Sequence, residues 1–182
     1  MKIILVGIQG SGKSTQGNLL RDKLGVPYLS TGHIFREIAK EKTTLGRYIK
    51  ETMTARYLIP DKKTNEIVSD YLERPEYEKG YILDGYPRTY AQAKAFKNGI
   101  DKVIYLDVPD KEALWRLAFR TNENGEVRED ETLAAIKKRI ELFHKFTEPV
   151  LEYYKTKGKL VTINGEQSIE EIHKEIMDKL NK

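Results

Sequence analysis

Residues 3–15 constrain this chain more than any other stretch. Ile3-Ile4-Leu5-Val6 is an apolar run of strand length, and it leads straight into Gly7-Ile8-Gln9-Gly10-Ser11-Gly12-Lys13-Ser14-Thr15, the pattern G-x-x-x-x-G-K-[ST]. Four consecutive apolar residues predict a strand buried on both faces. The glycines remove side chains, so backbone N–H groups can turn inward around a chain of phosphates. Lys13 adds a compact positive charge for the terminal phosphates, and the helix predicted to begin there points its positive end at the same anion. Ser14 and Thr15 offer hydroxyls near a Mg²⁺ that rides on those phosphates. The alternative is a plain Gly/Ser-rich turn; the strand, the spacing, the lysine and the hydroxyl together count against it.

The rest of the chain alternates strand-length and helix-length patterns. Lys13 to Leu24 reads as a helix with Leu19, Leu20 and Leu24 inward, ended by Gly25 and Pro27. Val26 to Leu29 is a short strand, Ser30-Thr31-Gly32 caps a helix to about Lys40, and Thr44 to Ala55 is a second short helix. Tyr57-Leu58-Ile59-Pro60-Asp61 breaks that pattern before a helix from about Asp61 to Leu72, so residues 30–59 form a small helical insert. Tyr81-Ile82-Leu83-Asp84 is a second buried strand, closed by Gly85-Tyr86-Pro87-Arg88-Thr89. A helix over Thr89–Lys97, a strand over Lys102–Asp107 and a helix from Pro109-Asp110 to about Arg120 follow. Thr121 to Val127, centred on Asn124-Gly125, is a polar turn or hairpin. A long helix starts near Asp130, with Leu133, Ile136, Ile140 and Phe143 on one face and Arg139 at the edge of that stripe. Thr147-Glu148-Pro149 restarts it, Lys159 to Ile163 is a final strand, and Ser168-Ile169-Glu170-Glu171 caps a last helix to about Leu180. Strands alternating with helices predict an α/β fold, a parallel sheet with helices on both faces.

Composition narrows the class. Of 182 residues, 33% are charged and 39% hydrophobic, which suits one soluble globular core. No apolar stretch approaches the ~20 residues of a membrane span. Met1-Lys2 leads directly into the first strand, so no targeting segment is expected, and the absence of cysteine excludes disulfides and thiolate metal sites. The expected location is cytoplasmic. A net charge of +4 suits nucleic acid, or arginines gathered around a polyphosphate. Asp84 closes an apolar strand; it either starts a turn or holds Mg²⁺ or its waters, and the loop at residues 7–15 favours the metal role. Arg116 and Arg120 lie four apart and repel unless an anion sits between them; two solvated arginines are the plain alternative. His144 and His173 have no second ligand at a metal spacing and read as solvated or core histidines.

Five groups recur in order: Gly7 to Thr15; Ser30-Thr31-Gly32 with Arg36; Asp84-Gly85-Tyr86-Pro87-Arg88-Thr89 with Gln92; Arg116 with Arg120; and Arg128 to Arg139. Over essentially its whole length the chain thereby resembles adenylate kinase and its nucleoside monophosphate kinase relatives. The resemblance implies a three-layer P-loop NTPase fold with a five-stranded parallel sheet. It implies a core at 1–29, 60–120 and 131–182, an NMP-binding insert at 30–59 and a short lid at 121–130 without structural zinc. The implied reaction moves the terminal phosphoryl group of MgATP to AMP, giving two ADP. By the same resemblance Lys13, Arg88, Arg120, Arg128 and Arg139 are catalytic. Gly10, Ser11, Gly12, Lys13, Ser14, Thr15, Arg116 and the backbone near Gln167 would bind ATP. Arg36 and Arg88 would hold the AMP phosphate, with Arg128 and Arg139 beside it. Thr31, Gly85 and Gln92 would face the AMP base, walled by Met53, Tyr57, Leu58, Ile59 and Tyr86. Asp84 and Ser14 would hold Mg²⁺, directly or through waters. The implied partners are ATP, AMP and ADP, with no nucleic acid and no membrane, in a monomer or small homo-oligomer.

Three departures from the family pattern stand out. His33 occupies the place of an aspartate after Ser-Thr-Gly, Ser14 replaces a glycine after the lysine, and Glu131 replaces an aspartate in the lid. Thr31 and Thr89 lean toward AMP as acceptor, with UMP, CMP or GMP, or broad acceptance, as rivals. A nucleotide-dependent nucleic-acid-binding NTPase is the rival from another class; no basic stripe interleaved with aromatics supports it.

Overall fold

The computed structural model describes residues 1–55, 57–118 and 132–181. Strands β1 (Lys2–Val6), β2 (Tyr28–Ser30), β3 (Tyr81–Asp84), β4 (Lys102–Asp107) and β5 (Leu160–Asn164) form one parallel sheet in the order β2-β3-β1-β4-β5. The apolar run that opens the chain thus lies in the middle, with Ile4 beside Leu83 on one side and Val103 on the other. Strand alternation sends its side chains to two cores. Ile3 and Leu5 pack with Leu20 of α1 (Lys13–Leu24) and with Ile172 and Ile176 of α9 (Ile169–Leu180). Ile4 and Val6 share the opposite core, built from the helices between. Those are α2 (Thr31–Lys40), α3 (Thr44–Thr54), α4 (Asp61–Leu72), α5 (Tyr90–Ala95), α6 (Asp110–Ala118), α7 (Leu133–Leu142) and α8 (Glu148–Thr156). Each such fully buried Ile or Leu stabilises the fold by roughly 1.5–3 kcal/mol relative to exposure. No helix among the described residues is long and apolar enough to cross a membrane.

Several boundaries differ from the sequence reading, each for a local reason. On α1, Gln16 and Gly17 are buried with Leu20, while Leu19 and Leu24 sit at the half-buried edge. The Gln16 amide donates to the carbonyl of Ile169 at 2.9 Å, joining α1 to the start of α9. β2 begins at Tyr28 instead of Val26: Pro27 has no N–H to give the ladder, although its carbonyl accepts from Ile82 at 2.8 Å. α5 is shorter than 89–97, because Thr89 stays outside as the cap, accepting from the Gln92 N–H at 3.1 Å. α7 does not end before α8; residues Phe143–Thr147 form a π-helical turn between them. Thr147 makes no cap there, and its hydroxyl donates instead to the Arg88 carbonyl at 3.0 Å. The expected lid at 121–130, with Arg120, Arg128, Glu131 and the Asn124-Gly125 turn, lies outside the described residues.

The π-helical turn places His144 between two helix starts. Its Nδ1 lies 2.5 Å from Glu148 Oε1 at the start of α8, and its Nε2 lies 2.8 Å from Asp110 Oδ1 at the start of α6. With a carboxylate at each ring nitrogen, the imidazolium is favoured and its pKa is raised, chiefly through Glu148, then Asp110, against a small burial penalty. A folded value above the unfolded ~6.5 means the clasp contributes fully below pH ~6.5 and is lost as pH rises through the folded value. At 43% exposure for the histidine side chain, solvent screening keeps the total below ~1 kcal/mol. His144→Gln is therefore expected to lower the melting temperature by about 2 °C near pH 6 and by progressively less as pH rises. Calorimetry across pH 5.5–9 checks this; a deficit that does not change with pH removes the charge from the explanation.

Candidate functional site

Because all the strands run the same way, their C-terminal ends open on one edge of the sheet, where loops and helix starts surround a cleft of about 550 Å³. β1 delivers the loop of residues 7–12 to it and β3 delivers Asp84. Gly10 and Gly12 adopt φ of +89° and +88°, a region that L side chains rarely adopt. A Cβ on Gly10 would also come within 3.1 Å of the Ala113 carbonyl and of Leu117 Cγ. The loop is closed by the Ser11 N–H on the Ile8 carbonyl at 3.1 Å, which leaves Ser11 itself fully buried. Gly12 caps α1 without a side chain, so the first-turn N–H groups are left for an anion. Lys13 Nζ reaches back over the loop, donating to the carbonyls of Gly7 (2.8 Å) and Ile8 (2.9 Å) and to Ser11 Oγ (3.4 Å). Ser14 and Thr15 line the cleft beside it.

Asp84 is 6% exposed and its two oxygens differ. Oδ2 accepts from the Tyr28 hydroxyl at 2.7 Å, whereas Oδ1 is buried with no hydrogen-bond partner among the described residues. Burial, then the Asp84 charge, push the Tyr28 phenol well above its ordinary range, so it remains a donor. Thr31 lies under the floor of the cleft, fully buried, with its hydroxyl on the Asp84 carbonyl at 3.2 Å. Arg88 lines the cleft and is exposed to solvent. Its Nε donates to the Gly85 carbonyl at 2.8 Å. Desolvation lowers its pKa, Asp84 opposes that, and the charge of Arg139 adds to it.

The Gln92 side chain is 3% exposed and lines the same cleft. Its Oε1 accepts from the Arg88 N–H at 2.7 Å and its Nε2 donates to Asp61 Oδ1 at 2.8 Å. Arg36, Met53, Tyr57, Leu58, Ile59, Gly85 and Tyr86 line the wall made by α2, α3 and the loops around them. Arg116 lines the opposite wall, its Nε on Glu112 at 2.7 Å and its Nη2 on the Gly165 carbonyl at 3.0 Å. Gln167 does not line the cleft; its amide ties the Asn164 carbonyl (3.1 Å) to Glu175 on α9 (2.8 Å). His33 is exposed on α2 and is not among the lining residues. Arg120 and Arg128 lie outside the described residues.

Among the described residues the charged lining is Lys13, Arg36, Arg88, Arg116, Lys138 and Arg139 against Asp84, so the cleft favours polyanions. Tyr28, Asp61, Glu112 and Thr147 each hold a lining residue in place, and the sequence reading named none of them in that role. Only the β2–β3 pairing, with Ser30 beside Asp84 and Tyr28 beside Ile82, points Tyr28 toward Asp84.

Comparison with known proteins agrees with this geometry. The family model described as Adenylate kinase matches residues 5–159. The adenylate kinase of Caldicellulosiruptor saccharolyticus is 36% identical, covering 99% of this chain and 99% of its own length. That of Methanosarcina barkeri is 37% identical over 100% of this chain and 99% of its own, and that of Fusobacterium nucleatum 37% identical over 97% and 96%.

Proposed function

The chain belongs to the adenylate kinase family, and from that premise we propose that its cleft seats ATP on the loop of residues 7–15 and AMP against the wall formed by α2 and α3. The enzyme moves the terminal phosphoryl group of ATP to AMP, reversibly giving two ADP. The bond between Pγ and the bridging oxygen breaks, leaving ADP, and a phosphate oxygen of AMP forms the new bond. That oxygen is already an anion, so no general base is required. What the protein contributes is alignment and neutralisation of charge on the equatorial oxygens.

Lys13 and the α1 N-terminus hold the β- and γ-phosphates, and Arg88 with Arg36 holds the phosphate of AMP. Arg139, in the same cleft as Arg88, neutralises the migrating group, a role the family resemblance also assigns to Arg120 and Arg128. Planar guanidinium groups suit this task because each can bond two phosphate oxygens at once. Arg116, fixed by Glu112 and the Gly165 carbonyl, presents its face to the ATP base, with the backbone near Gln167 beyond it. Gln92 reads the AMP base, with Gly85 and Thr31 beneath and Met53, Tyr57, Leu58, Ile59 and Tyr86 around it. Residues 30–59 act as the AMP-binding insert and 121–130 as a short lid, whose closure excludes water from the transfer.

A divalent cation fits beside the phosphates. The buried Asp84 Oδ1 lacks a partner among the described residues, and an oxygen ligand is what Mg²⁺ prefers. Asp84, oriented by Tyr28, would hold Mg²⁺ or its waters, with Ser14 as a further oxygen donor. When bound, the ion supplies neutralisation of the phosphate charge.

The observation that carries this reading is the meeting of the Lys13 loop, Asp84, Arg88, Gln92 and Arg139 in one cleft. Incubation of the purified protein with ADP and Mg²⁺ alone is the direct test. ATP and AMP should appear in equal amounts, and failure of both to appear rules the reading out.

A further inference from the structure

A side-chain amide in a pocket can ordinarily turn over, exchanging its donor and acceptor ends. Gln92 cannot. Its oxygen meets a backbone N–H, that of Arg88 at 2.7 Å, which only donates. Its nitrogen meets a carboxylate, that of Asp61 at 2.8 Å, which only accepts. Turning the amide over would break both bonds, set oxygen against oxygen at Asp61 and N–H against N–H at Arg88. At 3% exposure little solvent reaches the amide to offset the loss. Among the described residues, what remains free is one N–H and one lone pair, in a fixed order, on a side chain that lines the cleft.

That order is information. Adenine offers a donor at N6 beside an acceptor at N1; guanine offers an acceptor at O6 beside a donor at N1. An amide free to turn matches either, whereas one held in a single orientation matches one and opposes the other. We propose that Asp61 is a specificity-determining positioning residue: by holding the Gln92 amide in one orientation it favours adenine over guanine at the acceptor site. The proposal rests on the placement of the AMP base at Gln92 given above. Asp61 makes no contact with the base; it acts through Gln92 from the first turn of α4.

Asp61→Asn is the decisive substitution, since asparagine keeps the shape and can present either a donor or an acceptor to Gln92. Only Arg88 N–H then opposes the turned amide. With MgATP as donor, the ratio of kcat/KM for GMP to that for AMP should rise roughly tenfold, the scale of one buried polar mismatch removed. Damage to α4 alone would lower both values together and leave the ratio in place, so a ratio within twofold of wild type overturns the proposal. Gln92→Ala separates the two layers. If it leaves AMP kinetics unchanged, the base does not sit at Gln92 and the underlying placement fails; if it impairs AMP while Asp61→Asn leaves the ratio unchanged, the orientation lock alone fails. Should Asp61→Asn not fold, the amide resonances of wild-type Gln92 decide. One Nε2 proton should exchange slowly and its geminal partner quickly until AMP is added; two freely exchanging protons overturn the lock.

Discussion

Replacing Arg88 by alanine is expected to lower kcat/KM for AMP by about a thousandfold, the scale of one transition-state guanidinium lost, with ATP affinity within about twofold of wild type. The reason lies in how firmly the guanidinium is placed before any substrate arrives. Its Nε is tied to the Gly85 carbonyl, its main-chain carbonyl accepts from Thr147, and its main-chain N–H is bonded to Gln92. It shares the cleft with a second guanidinium, Arg139; desolvation disfavours its charge, Asp84 favours it, and Arg139 disfavours it. Folding therefore brings two like charges into one cleft, and a phosphate bound as proposed would relieve both. Removal of Arg88 leaves the loop of residues 7–15 untouched, so binding of a nonhydrolysable ATP analogue by calorimetry should persist. The thermal stability of the variant should change little, because relief of desolvation and of the Arg139 charge is opposed by loss of the Asp84 attraction and of the bond to the Gly85 carbonyl. Arg88→Lys should recover little, since an ammonium cannot bond two oxygens in one plane. Near-normal transfer by Arg88→Ala would remove this residue from the acceptor site.

The second large effect is expected at Lys13. Its ammonium holds three oxygens of its own loop, the Gly7 and Ile8 carbonyls and Ser11 Oγ. It thus shapes the loop with the same group proposed to meet phosphate. Lys13→Met should lower kcat by about a thousandfold and weaken ATP binding by tenfold or more, since the loop carbonyls also lose a charged donor. Lys13→Arg should not restore it; a flat fork does not fit where a tetrahedral ammonium touches three oxygens. The two variants then differ in kind: one keeps ATP and loses transfer, the other loses both. A Lys13→Met protein that binds the ATP analogue as wild type does would show that the backbone N–H groups alone hold the phosphates.

Patterns local in the chain were readable before any coordinates. Ile3 to Val6 and Tyr81 to Asp84 are apolar runs of strand length, and both are central strands in the sheet. The capping pattern at Ser168 is a capping box, and Asp61 to Leu72 is a helix with those same bounds. The residues that line the cleft were legible where they fall in short motifs, such as Lys13 and Arg88. Those that support them were not, because their roles depend on which distant segments meet. Tyr28 is 56 positions from Asp84, Asp61 is 31 from Gln92, and Thr147 is 59 from Arg88. The incomplete face of α1 has a similar origin: Leu20 is buried and Leu24 packs on the core as expected, but two further buried positions lie beside them. Periodicity selected its leucines, whereas the fold buries Gln16 and Gly17 because of what α9 and Tyr28 bring against them. The lid, with Arg120 and Arg128, lies outside the described residues.

Gly17 has a consequence of its own. It lies inside α1, where helix propensity alone would recommend alanine for a gain of ~1 kcal/mol. Yet a methyl group at that position would overlap the ring of Tyr28, the phenol that orients Asp84. An engineer who optimised this helix for heat tolerance would be disturbing the hydrogen bond that orients Asp84 without touching Asp84 itself. The bare backbone at Gly17 is the socket in which that ring is seated, and it ties the buried face of a helix to the orientation of Asp84.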